Sequence, residues 1–286
     1  MCALTDAPLF VVNRIKIMIN EIGPVHSRRD GRVLHVILSR PALKNAINEE
    51  MVTSLYRCLR DAAQDDSVGA VVIEGAGDAF CSGADIKNLA LGAEHTRKYS
   101  TEVLLRVGAE AAMLLHEMPK PTIAKIRGPA VGGGLSLALA CDFRLADNTA
   151  TLGYAHTKIG LSGDFAAAYF LSKWMGAGKA REFCLLCPTY SAEEAFKNGL
   201  LSKVCDADAL CSEVEKLAAR LADGPTNALG CIKSNLKNAE EMSCESYIAE
   251  EIKNFQRCRN SDEHREALAA FLEKREPVLP RSKVAR

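Results

Sequence analysis

Three features predict an α/β fold with a helical C-terminal region. Strand-like apolar runs are confined to the first part of the chain, glycine-rich turns follow two of those runs and open helices, and the periodicity after Asp164 is almost wholly helical. The segment 33–38 is a short β-rich run ended by Arg40-Pro41. Asn48 is placed to cap a helix whose first turn carries Glu49 and Glu50, acids that suit the positive end of the helix dipole. Met51, Leu55, Cys58, Leu59 and Ala62 then recur on one helical face. Residues 70–73 read as a buried strand and 75–83 as a glycine-rich loop. A long helix over 101–118 is stopped by Pro119 and Pro121, and 122–126 is another apolar strand. It leads into a second turn, Gly128-Pro129-Ala130-Val131-Gly132-Gly133-Gly134. Small apolar residues over 135–141 predict a short, tightly packed helix, and 142–146 returns as a strand. Helical segments follow at 165–175, 179–186, 192–198, 207–221, 226–239, 245–257 and 262–275.

Composition narrows the function. The 286 residues carry 36 Lys plus Arg against 36 Asp plus Glu, and no basic block that would mark a nucleic-acid or anionic-membrane surface. Residues 10–22 are apolar but interrupted by Asn13, Arg14, Lys16 and Asn20, which suits neither a membrane helix nor a signal peptide. A leader without fixed structure is expected over 1–25, with Met18 as an alternative start. The last three residues, Val284-Ala285-Arg286, form no retention or peroxisomal address, and a reducing cytoplasm is the expected location. The 11 cysteines are odd in number and scattered, which predicts reduced, mostly buried thiols rather than a disulfide framework. The spacing of Cys184 and Cys187 lacks the second pair that a zinc site needs, so no metal is expected.

The chemistry concentrates in the two glycine-rich turns, Phe80-Cys81-Ser82-Gly83-Ala84-Asp85-Ile86-Lys87 and the turn ending in Gly132-Gly133-Gly134. Each follows a buried strand and opens a helix, where unpaired N–H groups and partial positive charge can hold an anion. Neither is a dinucleotide fingerprint or a Walker A loop. Tight structural turns in a crowded fold explain a lone glycine triplet equally well.

Taken in order, Ser39-Arg40-Pro41…Asn45-Ala46, the turn from Phe80 to Lys87, Gly132-Gly133-Gly134…Ala140-Cys141-Asp142 and Ser191-Ala192-Glu193-Glu194-Ala195…Gly199-Leu200 resemble the crotonase (enoyl-CoA hydratase/isomerase) superfamily. The ending Ala270-Phe271-Leu272-Glu273-Lys274-Arg275 fits it too, so the resemblance spans roughly residues 31–277. It implies a crotonase-like spiral of ββα units over 26–205 and a helical oligomerisation region over 206–286, forming a homotrimer or dimer of trimers. It also implies an acyl-CoA thioester substrate, with no cofactor beyond the CoA moiety itself. Carried over by motif, the backbone N–H groups of Ala84 and Gly133 form the oxyanion hole, a kind of donor worth about 3–4 kcal/mol of barrier each. Lys44, Asp85, Ile86 and Lys87 are carried over as the CoA-binding residues.

The sequence departs from the hydratase pattern at both acids. The two hydratase glutamates fall on Ser136 and His156, and a carboxylate, Asp164, stands where hydratases commonly have glycine. Family members that shift double bonds carry a catalytic aspartate at that place. The expectation is therefore an enoyl-CoA isomerase or lyase-type enzyme, isomerisation favoured over hydration, with Asp164 as proton carrier. The alternatives are hydration with His156 as base, thioester hydrolysis by Ser136, His156 and Asp164, and a non-catalytic acyl-CoA-binding scaffold. Asp164 is also well placed to cap a helix beginning at Phe165. Ala166, Ala167 and Ala168 suggest room near the site, whose shape is expected to depend on the loop between 90 and 106.

Overall fold

The computed structural model describes residues 23–87 and 98–279. The expected leader therefore lies almost wholly outside the described residues, as does much of the loop expected to shape the site. The main sheet runs β1 (Val25–Asp30), β2 (Val33–Leu38), β3 (Ala70–Gly75), β4 (Thr122–Ile126), β6 (Phe143–Asp147) and β9 (Lys203–Cys205). In this sheet β1 pairs antiparallel with β2, and β2, β3, β4, β6 and β9 are parallel to one another. The four inner strands are rich in Val, Ile, Leu and Ala and mostly buried, because helices cover the sheet on both faces. At one edge β1 carries the exposed Arg28, Arg29 and Asp30, charges that discourage further strand pairing.

A second sheet, β5 (Pro129–Val131), β7 (Thr151–Gly153) and β8 (Thr189–Ser191), stands beside the first. Successive turns of chain give one strand to each sheet and then a helix. β4 and β5 lead into α3 (Gly133–Ala140), and β6 and β7 lead through a 3₁₀ turn, His156–Ile159, to α4 (Ala167–Leu186). Two isolated parallel bridges, Ile47 with Ala84 and Cys81 with Ala130, extend this layering across the glycine-rich turns. The expected ββα spiral is present.

Helix α1 (Glu49–Gln64) begins as its sequence indicates, with the Asn48 side chain accepting the Met51 amide at 2.9 Å. Its C-terminus is closed by a distant residue. Lys120 is fully buried and donates to the carbonyls of Ala62, in the last turn, and of Asp65, the C-cap, which also accepts the Val68 amide at 2.9 Å. Helix α2 (Thr101–Glu117) presents Val107, Ala111, Ala112 and Leu115 to the core. Helix α3 is buried on all sides, which its Gly-Gly-Leu-Ser-Leu-Ala-Leu-Ala composition permits. In α4, Gly176 at φ +78 breaks the helical path.

After α5 (Ala192–Lys197), helix α6 (Leu210–Ala222) covers the second face of the main sheet. Its Leu210, Val214, Ala218 and Ala222 pack with Val33, Val72, Ile123 and Leu145. Although it falls in the expected C-terminal region, this helix closes the core. The chain ends with α7 (Thr226–Glu241), α8 (Cys244–Arg259) and α9 (Asp262–Glu273). The buried Glu263 of α9 accepts the Asn227 amide at 3.0 Å and the Thr226 hydroxyl at 3.1 Å, so it caps the start of α7.

Candidate active site

The Arg40–Ala46 segment sets the first glycine-rich turn in place. Asn45 is fully buried at φ +55, and its side-chain amide donates to the carbonyls of Ala76 and Ala79 while its oxygen accepts the Arg40 amide. The Arg40 guanidinium reaches Asp85 at 2.9 Å. Ile47 then spends its amide on Gly83 O at 2.8 Å and accepts the Asp85 amide at 2.9 Å. In a parallel bridge of this kind the residue between the two partners turns its N–H away. That residue is Ala84.

The second turn is placed by Gly132, whose φ of +55 and ψ of −126 only glycine adopts readily. Its amide donates to Gly153 O at 2.9 Å, and its carbonyl accepts the Ser136 amide at 3.0 Å to start α3. The Gly133 N–H is one of the first amides of that helix and has no intrahelical acceptor. The two turns touch: a Cβ on Gly132 would stand 3.7 Å from Gly83 Cα. Among the described residues, neither the Ala84 nor the Gly133 amide donates a hydrogen bond.

His156 follows β7 after Ala155, which is held at φ +60. Its side chain is only 6% exposed, and Nε2 lies 3.1 Å from Oδ1 of Asp164, itself 14% exposed. The contact is close but not an aligned hydrogen bond, and neither His156 Nδ1 nor Asp164 Oδ1 has a hydrogen-bond partner among the described residues. The imidazole borders the second turn, since a Cβ on Gly132 would lie 3.8 Å from both Cε1 and Nε2. Two titratable groups therefore meet beside the Gly132–Gly133 peptide. The sequence brings them together through separate elements, the 3₁₀ turn and the loop ahead of α4.

That loop is unusual in its backbone. Gly160 and Gly163 have φ of +71 and +125, and Phe165 and Ala166 follow at +44 and +63. Left-handed conformations cost non-glycine residues about 1–2 kcal/mol each, so surrounding packing holds them there. They also correct one expectation. Helix α4 starts at Ala167 with Ala166 as its N-cap and no side-chain cap, because the two left-handed residues delay the helix. The Asp164 side chain is thus free of a capping role; only its carbonyl engages, accepting the Ala167 amide at 3.0 Å.

Ser136 is fully buried, and its hydroxyl lies 3.2 Å from both Gly132 O and Asp164 O. Its one proton is directed at these carbonyls. Among the described residues no hydrogen bond joins Ser136 to His156, so the three side chains do not form a Ser–His–Asp relay in this structure. Of the residues expected near CoA, Lys44 accepts the Ser82 amide at 2.9 Å through its carbonyl and leaves its side chain exposed. Ile86 and Lys87 are also exposed on this rim, whereas the Asp85 carboxylate is nearly buried against Arg40. Asp142 and Asp147 make structural contacts with Lys233 and Arg127 at 2.7 and 2.9 Å.

Sequence reasoning passed over Phe165 and Tyr154. The Phe165 ring lies 3.1 Å from where a Cβ on Gly133 would be, next to one candidate donor. Tyr154, 2% exposed, packs its ring against the His156 imidazole, with centroids 4.5 Å apart and the planes tilted by 60°. The run Gly153-Tyr154-Ala155-His156, which leads from β7 into the 3₁₀ turn, is the local signal for Tyr154. Of the three alanines expected to leave room, Ala167 is buried in the core and Ala168 is exposed. The ten described cysteines are all unpaired, and burial pushes the Cys81 and Cys141 thiols up to about 12. Among the described residues, no group of three His, Cys, Asp or Glu side chains is arranged to hold a metal ion, and no helix is long and apolar enough to cross a membrane.

Comparison with known proteins gives a consistent result. Residues 28–281 match the enoyl-CoA hydratase/isomerase family. The chain is 32% identical over 246 residues to 1,2-epoxyphenylacetyl-CoA isomerase of Escherichia coli K12, covering 86% of this chain and 94% of that protein. It is 27% identical over 257 residues to the short-chain-enoyl-CoA hydratase of Clostridium acetobutylicum, covering 89% and 97% of the two chains. The crystal structure of an enoyl-CoA hydratase from Bacillus anthracis superposes with a TM-score of 0.85 at 25% identity, covering 91% of this chain and 100% of that one. The fold, the ordered glycine-rich turns and these relatives lead to one assignment: the chain belongs to the enoyl-CoA hydratase/isomerase family and is an acyl-CoA enzyme of the crotonase superfamily.

Proposed function

We propose that this enzyme stabilises a thioester enolate between the amides of Ala84 and Gly133 and shifts a carbon–carbon double bond, with Asp164 carrying the proton. The observation that carries the reading is the Asp164 carboxylate beside His156, next to the turn that presents the Gly133 amide. Asp164 removes a proton from a carbon made acidic by conjugation with the thioester. The electron pair moves toward the carbonyl oxygen, where two fixed N–H dipoles offset the growing charge. The same carboxyl returns the proton to another carbon of the conjugated system. The double bond moves, and neither water nor a second acid is consumed. His156, in contact with the carboxylate, completes a titratable pair able to hold the transferred proton.

One observation favours hydration as the second reading. His156 stands at a place where hydratases carry a glutamate, and a neutral imidazole beside a carboxylate can activate water. The Ser136 hydroxyl, directed at two carbonyls, weighs against thioester hydrolysis. Purified enzyme offered 3-enoyl-CoA, dienoyl-CoA and 2-enoyl-CoA separates the readings. Isomerised products support the first, 3-hydroxyacyl-CoA the second, and release of free CoA the hydrolase. CoA-ester binding with no turnover across the panel supports a scaffold.

Self-association belongs to the same proposal. Ile248, Ile252 and Phe255 follow one another at helical spacing along α8, and Phe255 is 66% exposed. Leu236 on α7 is 64% exposed and Phe271 on α9 is 79% exposed. The open stripe on α8 and the exposed apolar residues on α7 and α9 support self-association as a homotrimer or dimer of trimers, in a reducing cytoplasm that keeps the thiols unpaired.

A further inference from the structure

We propose that Tyr154 and Ser136 are positioning residues that set where the Asp164 carboxylate stands. The inference rests on the proton-carrier reading above and adds to it the two hydroxyls that fix the carrier. Oδ1 of Asp164 lies 3.1 Å from His156 Nε2 without an aligned hydrogen bond, so the backbone that bears the carboxylate governs where it stands. That backbone is tied down at two carbonyls. The Tyr154 hydroxyl donates to Ser162 O, and the Ser136 hydroxyl reaches Asp164 O at 3.2 Å. Both hydroxyls come from buried elements outside the loop: Ser136 from α3 and Tyr154 from the segment after β7.

Gly163, between the two anchored carbonyls, shows how tightly the first tie is made. It adopts φ +125, and a Cβ there would stand 2.2 Å from the Tyr154 hydroxyl oxygen. The loop can approach this hydroxyl because residue 163 has no side chain. The same tyrosine packs its ring against His156, so one side chain fixes both members of the His156–Asp164 pair. A carbon-bound proton is transferred over a short distance, and displacement of a catalytic group by 1 Å can lower the rate by about 100-fold. Tyr154 and Ser136 touch neither the substrate carbonyl nor the transferred proton in this scheme; they act through Asp164.

The test compares Tyr154→Phe, Ser136→Ala, Gly163→Ala and Asp164→Asn with the wild type on whichever enoyl-CoA is turned over. Affinity for a non-reactive thioether analogue of that substrate reports an intact binding site. The positioning role predicts that Tyr154→Phe and Ser136→Ala each lower kcat about 10- to 100-fold, leave KM and analogue affinity near wild type, and shift the pH profile of kcat. Gly163→Ala, which pushes on the Tyr154 hydroxyl, has the same signature and stands in if the tyrosine variant does not fold. Wild-type kcat and pH profile in these variants, with Asp164→Asn inactive, would overturn the positioning role alone. Turnover retained by Asp164→Asn would instead remove the proton carrier, and the positioning role with it.

Discussion

Phe165 occupies the space of the side chain that Gly108 lacks: its Cε1 atom lies 2.0 Å from where a Cβ on Gly108 would be. The ring joins α2 to the loop carrying Asp164, and its other edge faces Gly133. Gly108→Ala is therefore expected to destabilise the fold by about 1–3 kcal/mol through overpacking. It is also expected to lower turnover, because the displaced ring borders Gly133 and belongs to the loop that carries Asp164. Urea unfolding together with kcat on an enoyl-CoA substrate checks both effects. A larger residue, Gly108→Val, should be worse on each.

The proton-carrier role predicts a loss of about 10²- to 10⁴-fold in kcat for Asp164→Asn, with substrate affinity little changed. Steady-state turnover and binding of a thioether analogue measure the two quantities separately. Asn keeps the size of the side chain and removes its basicity, so lost packing would not explain the result.

The pH dependence of stability has an identifiable contributor away from the site. Burial would raise the Glu74 carboxyl, but hydrogen bonds from His35 and Lys125 and the Lys125 charge outweigh it and hold the group at about 2, against an ordinary 4.5. A carboxyl depressed on folding stabilises the protein fully above its unfolded value. That contribution is lost as pH falls from about 4.5 toward 2. Its size is about 3 kcal/mol from the linkage relation. Glu74→Gln should lower unfolding free energy at pH 7 by a similar amount and flatten this part of the acid limb, as read by urea titrations at pH 7 and pH 3.

Self-association through the C-terminal helices predicts that Phe255→Asp and Leu236→Asp, combined, weaken assembly by at least about tenfold, since buried apolar anchors dominate such interfaces. Sedimentation velocity over a range of concentrations measures it. Circular dichroism should stay unchanged, because both residues are exposed in the single chain.

Features written in local chemistry were legible in the sequence. The Asn48 cap, the buried strands and the two glycine-rich turns rest on residues close together in the chain, and each appears where its residues indicate. Asp164 and His156 were legible as a pair only through the family pattern, since no periodicity links a 3₁₀ turn to a helix-entry loop. The contacts that finish the site were not legible. The fit of Phe165 to Gly108, the Tyr154 hydroxyl on Ser162 and the Lys120 ammonium on α1 join distant segments. The left-handed Phe165 and Ala166 carry no signature at all, because neither is a residue that favours that region. Their conformation is imposed by packing, and it moved the start of α4 two residues beyond the expected position.

The most direct measurement is the infrared carbonyl stretch of an acyl-CoA labelled with ¹³C at the thioester carbon, recorded free in water and bound to the enzyme. Two amides directed at the thioester oxygen predict a clear shift to lower frequency on binding, retained in Asp164→Asn because both donors are main-chain groups. A bound frequency equal to that in water would contradict the shared oxyanion site of Ala84 and Gly133.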